Sequence, residues 1–311
     1  MDSRFSKTRA MKLHIKTPAK INLGLWITGK REDGFHELET LFQMVGLYDE
    51  LEFENGGDSV ALTCNRDDIP TDGSNLVVRA AEALRERAPG GKDRHCRIHL
   101  EKHIPSGAGL GGGSGNAAGT LLALNHLWDL RLSREDLLPI AAELGSDVPF
   151  FLGTPTAIGR GRGEKLTPVK TASTFSVLLL YPRLSVSTAE VYNHLNLKLT
   201  SMENNISILT EFFSQSDITR LGACLHNDLE PVVLKRFKKV REAWEFLRAQ
   251  NAQGVLVSGS GSTVFAIFSD ARQANQAQAQ CNAGNWDTFL TETVSSLSEF
   301  LPEAVLKYPG V

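Results

Sequence analysis

A glycine-rich loop is the feature that most constrains what this chain can fold into. Six of the eleven residues at positions 105–115 are glycine, and apolar residues recur with helical spacing directly after them. Backbone N–H groups in such a loop can approach an anion without interference from Cβ atoms. The N-terminus of the following helix adds unpaired N–H groups and a favourable dipole. The loop therefore predicts a site for a polyphosphate, to which Ser114 can add a hydroxyl for phosphate or Mg²⁺.

Several classes of nucleotide-binding loop compete for this segment. Residues 107–112 satisfy the G-x-G-x-x-G pattern of dinucleotide-binding proteins, but that fold needs a parallel strand after the helix, ending in an acidic residue. Here a second helical pattern follows at residues 133–145. The sequence contains neither the G-K-[ST] ending of a Walker A loop nor the H-R-D and D-F-G motifs of protein kinases. A nucleotide binder outside these classes is favoured, with a nicotinamide-dependent dehydrogenase as the less favoured alternative.

The composition is that of an ordinary globular protein with one local excess. Hydrophobic residues make up 41% and charged residues 22%, which argues against disorder and coiled coil. There are 27 glycines, against roughly 22 expected from usual usage, and the loop accounts for the excess. The net charge of -3 gives no basic footprint, so nucleic acid is not expected as a partner.

Cysteine spacing and hydropathy predict a cytoplasmic protein, and chain length predicts two domains. The four cysteines, at positions 64, 96, 224 and 281, form no C-x-x-C pair, which favours reduced thiols over a disulfide framework. No stretch approaches the roughly 18 uninterrupted apolar residues of a membrane span, so no membrane association is expected.

A prior of about 150 residues per domain gives two domains. A polar segment without periodicity at residues 167–176 places their boundary near residue 170, giving domains 1–170 and 171–311.

Hydrophobic periodicity predicts alternating strands and helices. Strands are predicted at residues 12–28 with an interruption at Pro18, as a pair at 51–53 and 60–63, at 96–100, at 177–180, and as a hairpin from residue 254. Helices are predicted from Asn75, after the glycine loop, from a Ser133 cap to Gly145, from Thr188, and over residues 232–250. Turns are predicted at residues 30–37 and in a Ser/Asn-rich segment near residue 203.

Several motifs, collinear along the chain, resemble those of the GHMP kinases, the superfamily of galactokinase, homoserine kinase, mevalonate kinase and phosphomevalonate kinase. The string GLGGGSGNAA at residues 109–118 resembles the second motif of that superfamily. Four further segments resemble one family within it, the 4-diphosphocytidyl-2-C-methyl-D-erythritol kinases. They are TPAKINLGLWITGKREDGFHELET at 17–40, LGSDVPFFL at 144–152, NDLE at 227–230 and SGSGSTVFAIF at 258–268. The match extends from about residue 12 to the C-terminal region.

This resemblance implies both a fold and a reaction. The implied fold is a two-domain α+β GHMP kinase fold, with a nucleotide domain like domain 2 of ribosomal protein S5 and a ferredoxin-like C-terminal domain. The implied reaction is ATP- and Mg²⁺-dependent phosphorylation of the 2-hydroxyl of 4-diphosphocytidyl-2-C-methyl-D-erythritol, giving ADP and the 2-phosphate, in the non-mevalonate isoprenoid pathway. The alternative is another kinase of this superfamily acting on homoserine or a mevalonate derivative, which would have no cytosine to hold. A monomer or homodimer is expected.

Lys20 and Asp147 are the predicted catalytic residues. From the residues alone, Lys20 in an alternating strand is more readily a solvent-facing lysine, and Asp147 in G-S-D-V-P is equally well a turn or cap aspartate. The resemblance favours catalysis, because the family places its aspartate in this context and a lysine beside it. Phosphoryl transfer to an alcohol needs an oriented hydroxyl and positive charge near the developing negative oxygens.

The resemblance also assigns the cytidine end of the substrate. The resemblance implies that the base lies between two aromatic rings, here Phe35 and Tyr192, and that His36 hydrogen-bonds to the edge of the base. Phe35 stands where tyrosine is more usual, so stacking is retained without a phenol hydroxyl. Asn22 is two residues from Lys20 and would face the same side of a strand, and Thr188 is near Tyr192. An ordinary core aromatic is an equally good interpretation of Tyr192 from sequence alone.

The remaining assignments concern ATP and metal ligation. The resemblance gives ATP contacts to the loop, namely Pro105, Ser106, Gly107, Ala108, Gly109, Leu110, Gly111, Gly112, Gly113, Ser114 and Gly115, and to Asn75, Leu76 and Lys102 around the adenine. The residues 258–262 form either a plain hairpin turn or the superfamily's third motif, which packs against the phosphate loop. His95, His99 and His103 are four apart, but their segment alternates like a strand, so no protein metal site is predicted.

Overall fold

The computed structural model describes residues 11–88, 90–170, 173–195, 205–281 and 286–307. In these ranges the strands are β1 Lys12–Lys30, β2 His36–Asn55, β3 Val60–Cys64, β4 Cys96–Glu101, β5 Thr156–Gly161, β6 Lys165–Pro168, β7 Ser176–Tyr181, β8 His226–Asn227, β9 Gly254–Val257, β10 Val264–Phe268 and β11 Asp287–Glu292. The helices are α1 Leu76–Arg87, α2 Gly112–Leu127, α3 Arg134–Leu144, α4 Thr188–Asn193, α5 Asn205–Ser214, α6 Ile218–Ala223, α7 Glu230–Arg236, α8 Lys238–Arg248, α9 Ala271–Cys281 and α10 Glu303–Leu306. The predicted Ser/Asn-rich segment near residue 203 lies outside the described residues.

The N-terminal sheet is built around β2, which pairs antiparallel with β1, β4 and β5. The short strand β8 adds in parallel to the outer side of β1, and β3 adds in parallel to β4. The predicted direct pair between residues 51–53 and 60–63 is therefore wrong, because β4 lies between β2 and β3. Pairing with β4 aligns Phe53, Ile98 and Leu62 in one row of buried side chains, a non-local arrangement that chain proximity does not indicate.

The predicted interruption of the first strand at Pro18 is also wrong, since β1 continues through it. The register with β2 shifts between Pro18 and Ala19, from Tyr48 to Val45, so the proline lies at a bulge. A proline is tolerated at a bulge because its missing N–H removes no regular ladder bond there. Lys20 follows this bulge, pairs with Met44 in the sheet and is buried.

The C-terminal sheet has the strand order β11-β7-β10-β9, with every neighbouring pair antiparallel. Numbered within the domain, this is the order 4-1-3-2 of a ferredoxin-like fold, so that prediction is confirmed. In β7, Val177 and Leu179 face one hydrophobic cluster and Leu178 and Leu180 face another. Both faces of the strand are buried, which explains its continuous apolar run.

Local end signals of the helices are confirmed. Asn75 caps α1 by accepting a hydrogen bond from the backbone N–H of Val77, at 2.9 Å. Ser133 and Asp136 form a reciprocal capping box at the start of α3, and Gly145 ends that helix. These bonds satisfy N–H groups that the first turn of a helix leaves without intrahelical partners.

The single helix predicted over residues 232–250 is instead two helices, α7 and α8. Phe237 separates them in an extended conformation, with φ −111° and ψ 93°. Its ring packs against the hydrophobic cluster between the C-terminal sheet and α7–α9. Apolar spacing is nearly unchanged across one extended residue, so periodicity alone does not reveal the break.

Hydrophobic clusters lie in three layers: between the N-terminal sheet and α1–α3, between the two sheets, and on the outer face of the C-terminal sheet. The C-terminal residues Val294, Phe300, Leu301 and Val305 join the first of these, so the end of the chain packs back onto the N-terminal domain. The division into residues 1–170 and 171–311 remains a proposal. No helix within the described ranges is long and apolar enough to cross a membrane.

Candidate active site

A cavity of about 920 Å³ lies between the glycine loop, β1, β2 and the start of α4. Its walls combine residues of the N-terminal sheet, of α4 and of the loop between β9 and β10. Leu110 and Gly115 are the predicted residues that do not line it, since Leu110 is buried below the loop and Gly115 lies inside α2. The predicted residues on its walls are Lys20, Asn22, Phe35, His36, Asn75, Leu76, Lys102, Pro105, Ser106, Gly107, Ala108, Gly109, Gly111, Gly112, Gly113, Ser114, Asp147, Thr188 and Tyr192.

The glycine loop turns its carbonyl groups toward the protein. Gly107 O accepts from Val186 N at 3.2 Å, and Leu110 O accepts from Lys20 N at 2.9 Å. Gly111, the residue before α2, has φ +68° and offers no side chain to cap the helix. The first-turn N–H groups of α2 have no intrahelical acceptors, so they remain available to an anion in the cavity. This geometry fits a phosphate-binding loop.

The loop between β9 and β10 packs directly on the glycine loop, as the superfamily resemblance implies for its third motif. Ser258 Oγ donates to Gly109 O at 2.9 Å, and Thr263 N donates to Ala108 O at 3.0 Å. A Cβ atom on Gly109 would lie 2.1 Å from the carbonyl oxygen of Ser258. The two glycine-rich segments thus support one another at backbone distance across the two domains.

Lys20 is buried rather than solvent-facing, with its side chain 5% exposed. Its Nζ lies 3.6 Å from Asp147 Oδ2 and donates to Asn22 Oδ1 at 2.8 Å. The Phe42 ring lies below the ammonium, with 5.5 Å between Nζ and the ring centroid. Asp147 follows the end of α3 and remains 32% exposed toward the cavity. A buried ammonium beside a partly exposed carboxylate suits proton removal from, and charge stabilisation of, a bound hydroxyl.

Phe35, His36 and Tyr192 bring three aromatic rings to the cavity wall. The rings of His36 and Tyr192 are 5.0 Å apart between centroids, and Phe35 is 52% exposed at the cavity mouth. Burial, followed by the charge of Lys30, lowers the pKa of His36 below its ordinary value, so its imidazole is neutral near pH 7. Burial raises the pKa of Tyr192 to about 12, with a further contribution from Asp147. An exposed ring and a neutral imidazole suit a flat, uncharged heterocycle.

Family models for both halves of the GHMP kinases match this chain. The model described as GHMP kinases N terminal domain matches residues 75–154, and the one described as GHMP kinases C terminal matches residues 209–285. A 4-diphosphocytidyl-2-C-methyl-D-erythritol kinase of Geobacter sp. (strain M21) is 43% identical over 270 residues, covering 86% of this chain and 94% of that protein. The kinase of the same name from Syntrophus aciditrophicus (strain SB) is 42% identical, covering 91% and 99%. This chain belongs to the 4-diphosphocytidyl-2-C-methyl-D-erythritol kinase family.

One solved structure supports the same family membership, and a second shows the same fold. A crystal structure of a 4-(cytidine 5'-diphospho)-2C-methyl-D-erythritol kinase superposes with a TM-score of 0.77 at 35% identity, covering 90% of this chain and 99% of that one. Homoserine kinase from Cytophaga hutchinsonii has a TM-score of 0.74 at 20% identity, covering 95% and 98%, and shares the fold. The predicted two-domain α+β GHMP kinase fold is confirmed, and the chain is an ATP-dependent kinase.

Arg162 on the cavity wall and Asp49 beside the glycine loop are among the residues that the sequence did not indicate. Arg162, in the turn between β5 and β6, lies on the cavity wall with its guanidinium carbon 4.9 Å from the Phe35 ring centroid. The glycines flanking it in G-R-G-R-G are a turn signal that could have indicated an exposed arginine. Asp49 is fully buried and has no local signal, because its partners come from distant parts of the chain.

Asp49 anchors the start of the glycine loop through four hydrogen bonds. Its carboxylate pairs with the Lys102 ammonium and accepts from the N–H groups of His103 and Ile104 at 2.7 and 2.8 Å, and from Asn116 Nδ2 at 2.9 Å. Burial lowers the pKa of Lys102, an effect that Asp49 opposes. The ammonium of Lys102 is therefore engaged below the start of α2, so the adenine contact assigned to this residue would involve its backbone or stem.

The chemistry of the donor set fits Mg²⁺ bound chiefly through nucleotide phosphates. Among the described residues, no group of three or more His, Cys, Asp or Glu side chains is arranged to hold a metal ion. Mg²⁺ is commonly held by one or two protein oxygens together with substrate phosphates. The Ser114 hydroxyl and the Asp147 carboxylate both line the cavity and supply such oxygens.

Proposed function

We propose that this chain transfers the γ-phosphoryl group of ATP to the 2-hydroxyl of 4-diphosphocytidyl-2-C-methyl-D-erythritol, giving ADP and the 2-phosphate. One observation carries the proposal: the Lys20–Asp147 pair, 3.6 Å apart, lines one cavity with the glycine loop and with Phe35, His36 and Tyr192. The names and the high coverage of the relatives support the same substrate. The reaction belongs to the non-mevalonate route to isoprenoid precursors.

In the proposed mechanism, Asp147 and Lys20 act on the acceptor hydroxyl. Asp147 accepts a hydrogen bond from the hydroxyl and orients its oxygen toward the γ-phosphorus. The new oxygen–phosphorus bond forms as the bond to the β,γ-bridging oxygen breaks, and the hydroxyl proton passes to the carboxylate. Lys20 stabilises the negative charge that develops on the attacking oxygen. Its burial strengthens this effect, because water screens the ammonium little.

The glycine loop and Ser114 are proposed to hold the triphosphate, with Asn75, Leu76 and Lys102 near the adenine. Free N–H groups at the start of α2 hydrogen-bond to phosphate oxygens, and the helix dipole adds to the attraction. When bound, Mg²⁺ would neutralise phosphate charge, and Ser114 is its candidate protein ligand. These assignments depend on the loop geometry described above.

The cytidine end is proposed to lie between Phe35 and Tyr192. Any nucleobase can stack on the two rings, so discrimination between cytosine and other bases must come from hydrogen bonds at the base edge. Neutral His36 can donate and accept there, and Asn22 and Thr188 lie on the cavity wall toward the same substrate. The Arg162 guanidinium lies over the Phe35 ring and makes a cation–π contact with it.

The test is a steady-state assay of ADP release with ATP, Mg²⁺ and the cytidine substrate. Native protein is compared with Asp147→Ala and Lys20→Ala, and with Asp287→Asn, which removes one charge of an exposed ion pair in the C-terminal domain. We expect both active-site variants to lose at least about 100-fold in kcat while remaining folded by circular dichroism, and Asp287→Asn to keep native turnover. Near-native turnover by Asp147→Ala would refute the catalytic assignment without affecting family membership.

The same assay separates the proposed substrate from its rivals. Turnover of homoserine or mevalonate without turnover of the cytidine compound would contradict the substrate assignment. Binding of NADH in the cavity would favour the dehydrogenase alternative, which the sequence of α2 followed by α3 disfavours, since a dinucleotide fold needs a parallel strand there. The Mg²⁺ requirement, a cytoplasmic location and a monomeric or homodimeric state, without nucleic-acid or membrane partners, stay predictions.

A further inference from the structure

Thr40 makes two hydrogen bonds beside the proposed catalytic pair. It lies on β2, opposite Leu25 of β1, and is 1% exposed. Its hydroxyl donates to Gly24 O at 2.6 Å and lies 2.8 Å from Asn22 Nδ2. A carbonyl oxygen can only accept, so the single hydroxyl proton of Thr40 is directed to Gly24. Only lone pairs of the hydroxyl then face Asn22.

This arrangement determines which way the Asn22 amide points. The Thr40 hydroxyl presents an acceptor, and the Lys20 ammonium, which has no acceptor, presents a donor. The amide therefore places its NH₂ toward Thr40 and its oxygen toward Lys20, 2.8 Å from Nζ. A flipped amide would set NH₂ against the ammonium and oxygen against the hydroxyl lone pairs, losing both bonds. Because Asn22 is 2% exposed, water would not compensate for that loss.

We propose that Thr40 is a positioning residue, which holds the Lys20 ammonium beside Asp147 by fixing the orientation of the Asn22 amide. The inference rests on the proposed roles of Lys20 and Asp147. Among the ammonium's polar contacts described above, the Asn22 oxygen is closer than the Asp147 oxygen, at 2.8 against 3.6 Å. The amide oxygen therefore sets the direction of the ammonium, and the carboxylate is left free to engage the acceptor hydroxyl.

The hydroxyl of Thr40, rather than its methyl group, performs this function. Its proton and one lone pair are already engaged, so Thr40 has little capacity left for a direct bond to substrate although it borders the cavity. Thr40→Val keeps the shape of the side chain and removes both bonds. Thr40→Ser keeps the hydroxyl and removes only a methyl group. The pair of variants separates the hydrogen bonds from packing.

Thr156→Val provides a matched control. Thr156 is likewise fully buried on a strand of the same sheet, and its hydroxyl also bonds a side-chain amide, donating to Gln43 Oε1 at 2.7 Å. It is not a lining residue of the active-site cavity. Both valine substitutions thus break a buried hydroxyl–amide bond, and only Thr40→Val breaks one that leads to Lys20.

We expect Thr40→Val to lower kcat by about 10- to 100-fold, the usual effect of losing a hydrogen bond that supports a charged group. KM for ATP should stay within about threefold of native, since the substitution disturbs no residue proposed to contact ATP. Thr40→Ser should keep at least about a third of native kcat, and Thr156→Val should keep native kcat even if its melting temperature falls. Equal kcat in Thr40→Val and Thr156→Val would overturn the inference.

A double-mutant cycle tests whether Thr40 acts through Asn22. If it does, Thr40→Val combined with Asn22→Ala has the kcat of Asn22→Ala alone, because the amide that Thr40 orients is gone. If the double variant instead loses kcat by the product of the two single losses, the inference is overturned and Thr40 has an independent role. The cycle is measured with whichever alcohol the native chain phosphorylates, so failure of the proposed substrate is seen in the native protein, and failure of the Thr40 inference only in the variants.

Discussion

Replacing Gly109 by alanine tests the contact between the two glycine-rich segments. Gly109 has φ +77°, a backbone conformation that L side chains rarely adopt. A Cβ atom there would lie 2.1 Å from the carbonyl oxygen of Ser258 and 2.9 Å from that of Gly261. Both neighbours are backbone atoms, so the overlap can be relieved only by moving the third motif away from the phosphate loop.

Two energetic costs apply to Gly109→Ala. The left-handed backbone conformation costs about 1–2 kcal/mol for a residue with a Cβ atom. Overpacking against well-ordered atoms typically costs a further 1–3 kcal/mol, roughly, so the variant should lose about 2–5 kcal/mol of unfolding free energy. Gly34→Ala separates the two terms, because Gly34 has φ +86° and nothing within 4 Å of the added Cβ atom. It should lose only the first.

Both costs are measurable by urea denaturation monitored by tryptophan fluorescence, with the dependence of the unfolding free energy on urea concentration compared among variants. Gly109→Ala should also raise KM for ATP by at least about tenfold, because the displaced loop no longer presents its N–H groups together. Gly34 is on the cavity wall near Phe35, so its variant serves only as the stability control. An unfolding free energy of Gly109→Ala equal to that of Gly34→Ala would refute the close approach of the two segments.

Two further predictions concern buried and titrating groups. Asp49→Asn leaves the buried Lys102 ammonium without its counter-charge and should cost about 3–5 kcal/mol of unfolding free energy. Glu143→Gln, which changes an exposed pair with Arg87, should leave the urea midpoint unchanged, and equal midpoints for the two variants would contradict the buried network. The pKa of His36 lies below its ordinary value of 6.5, so its imidazole is neutral at pH 7 and takes up a proton as pH falls further below 6.5. The dissociation constant for the cytidine substrate should therefore rise on acidification in the native protein and stay flat in His36→Gln, as measured by calorimetry without ATP; parallel curves would refute the assignment.

Features that depend on neighbours in sequence could be predicted correctly. The Asn75 cap, the Ser133 capping box, the Gly145 stop and the strands at 96–100 and 177–180 each depend on contacts within a few residues or on a local burial pattern. The glycine loop belongs to the same class, since its conformational freedom is a property of its own residues. Such signals survive in any fold that contains them.

Features that depend on distant partners could not be predicted. Strand β4 enters between β2 and β3 from about thirty residues away, which no pattern in either strand encodes. The continuity of β1 through Pro18 depends on a bulge formed with β2, and the break at Phe237 depends on the core onto which its ring packs. Periodicity describes one face of one segment, whereas pairing and bends depend on what covers that face.

The candidate site divides in the same way. The identity of its residues, Lys20, Asp147 and the aromatic group among them, followed from collinear motifs in the sequence, although the residues alone left each open to a structural interpretation. Only the tertiary structure decided that Lys20 is buried, that Asp147 lies 3.6 Å from it, and that Asn22 is hydrogen-bonded to both the ammonium and Thr40. Distances between side chains depend on how two sheets and a bulged strand pack together, and that packing free energy is summed over the whole core rather than written in any one motif.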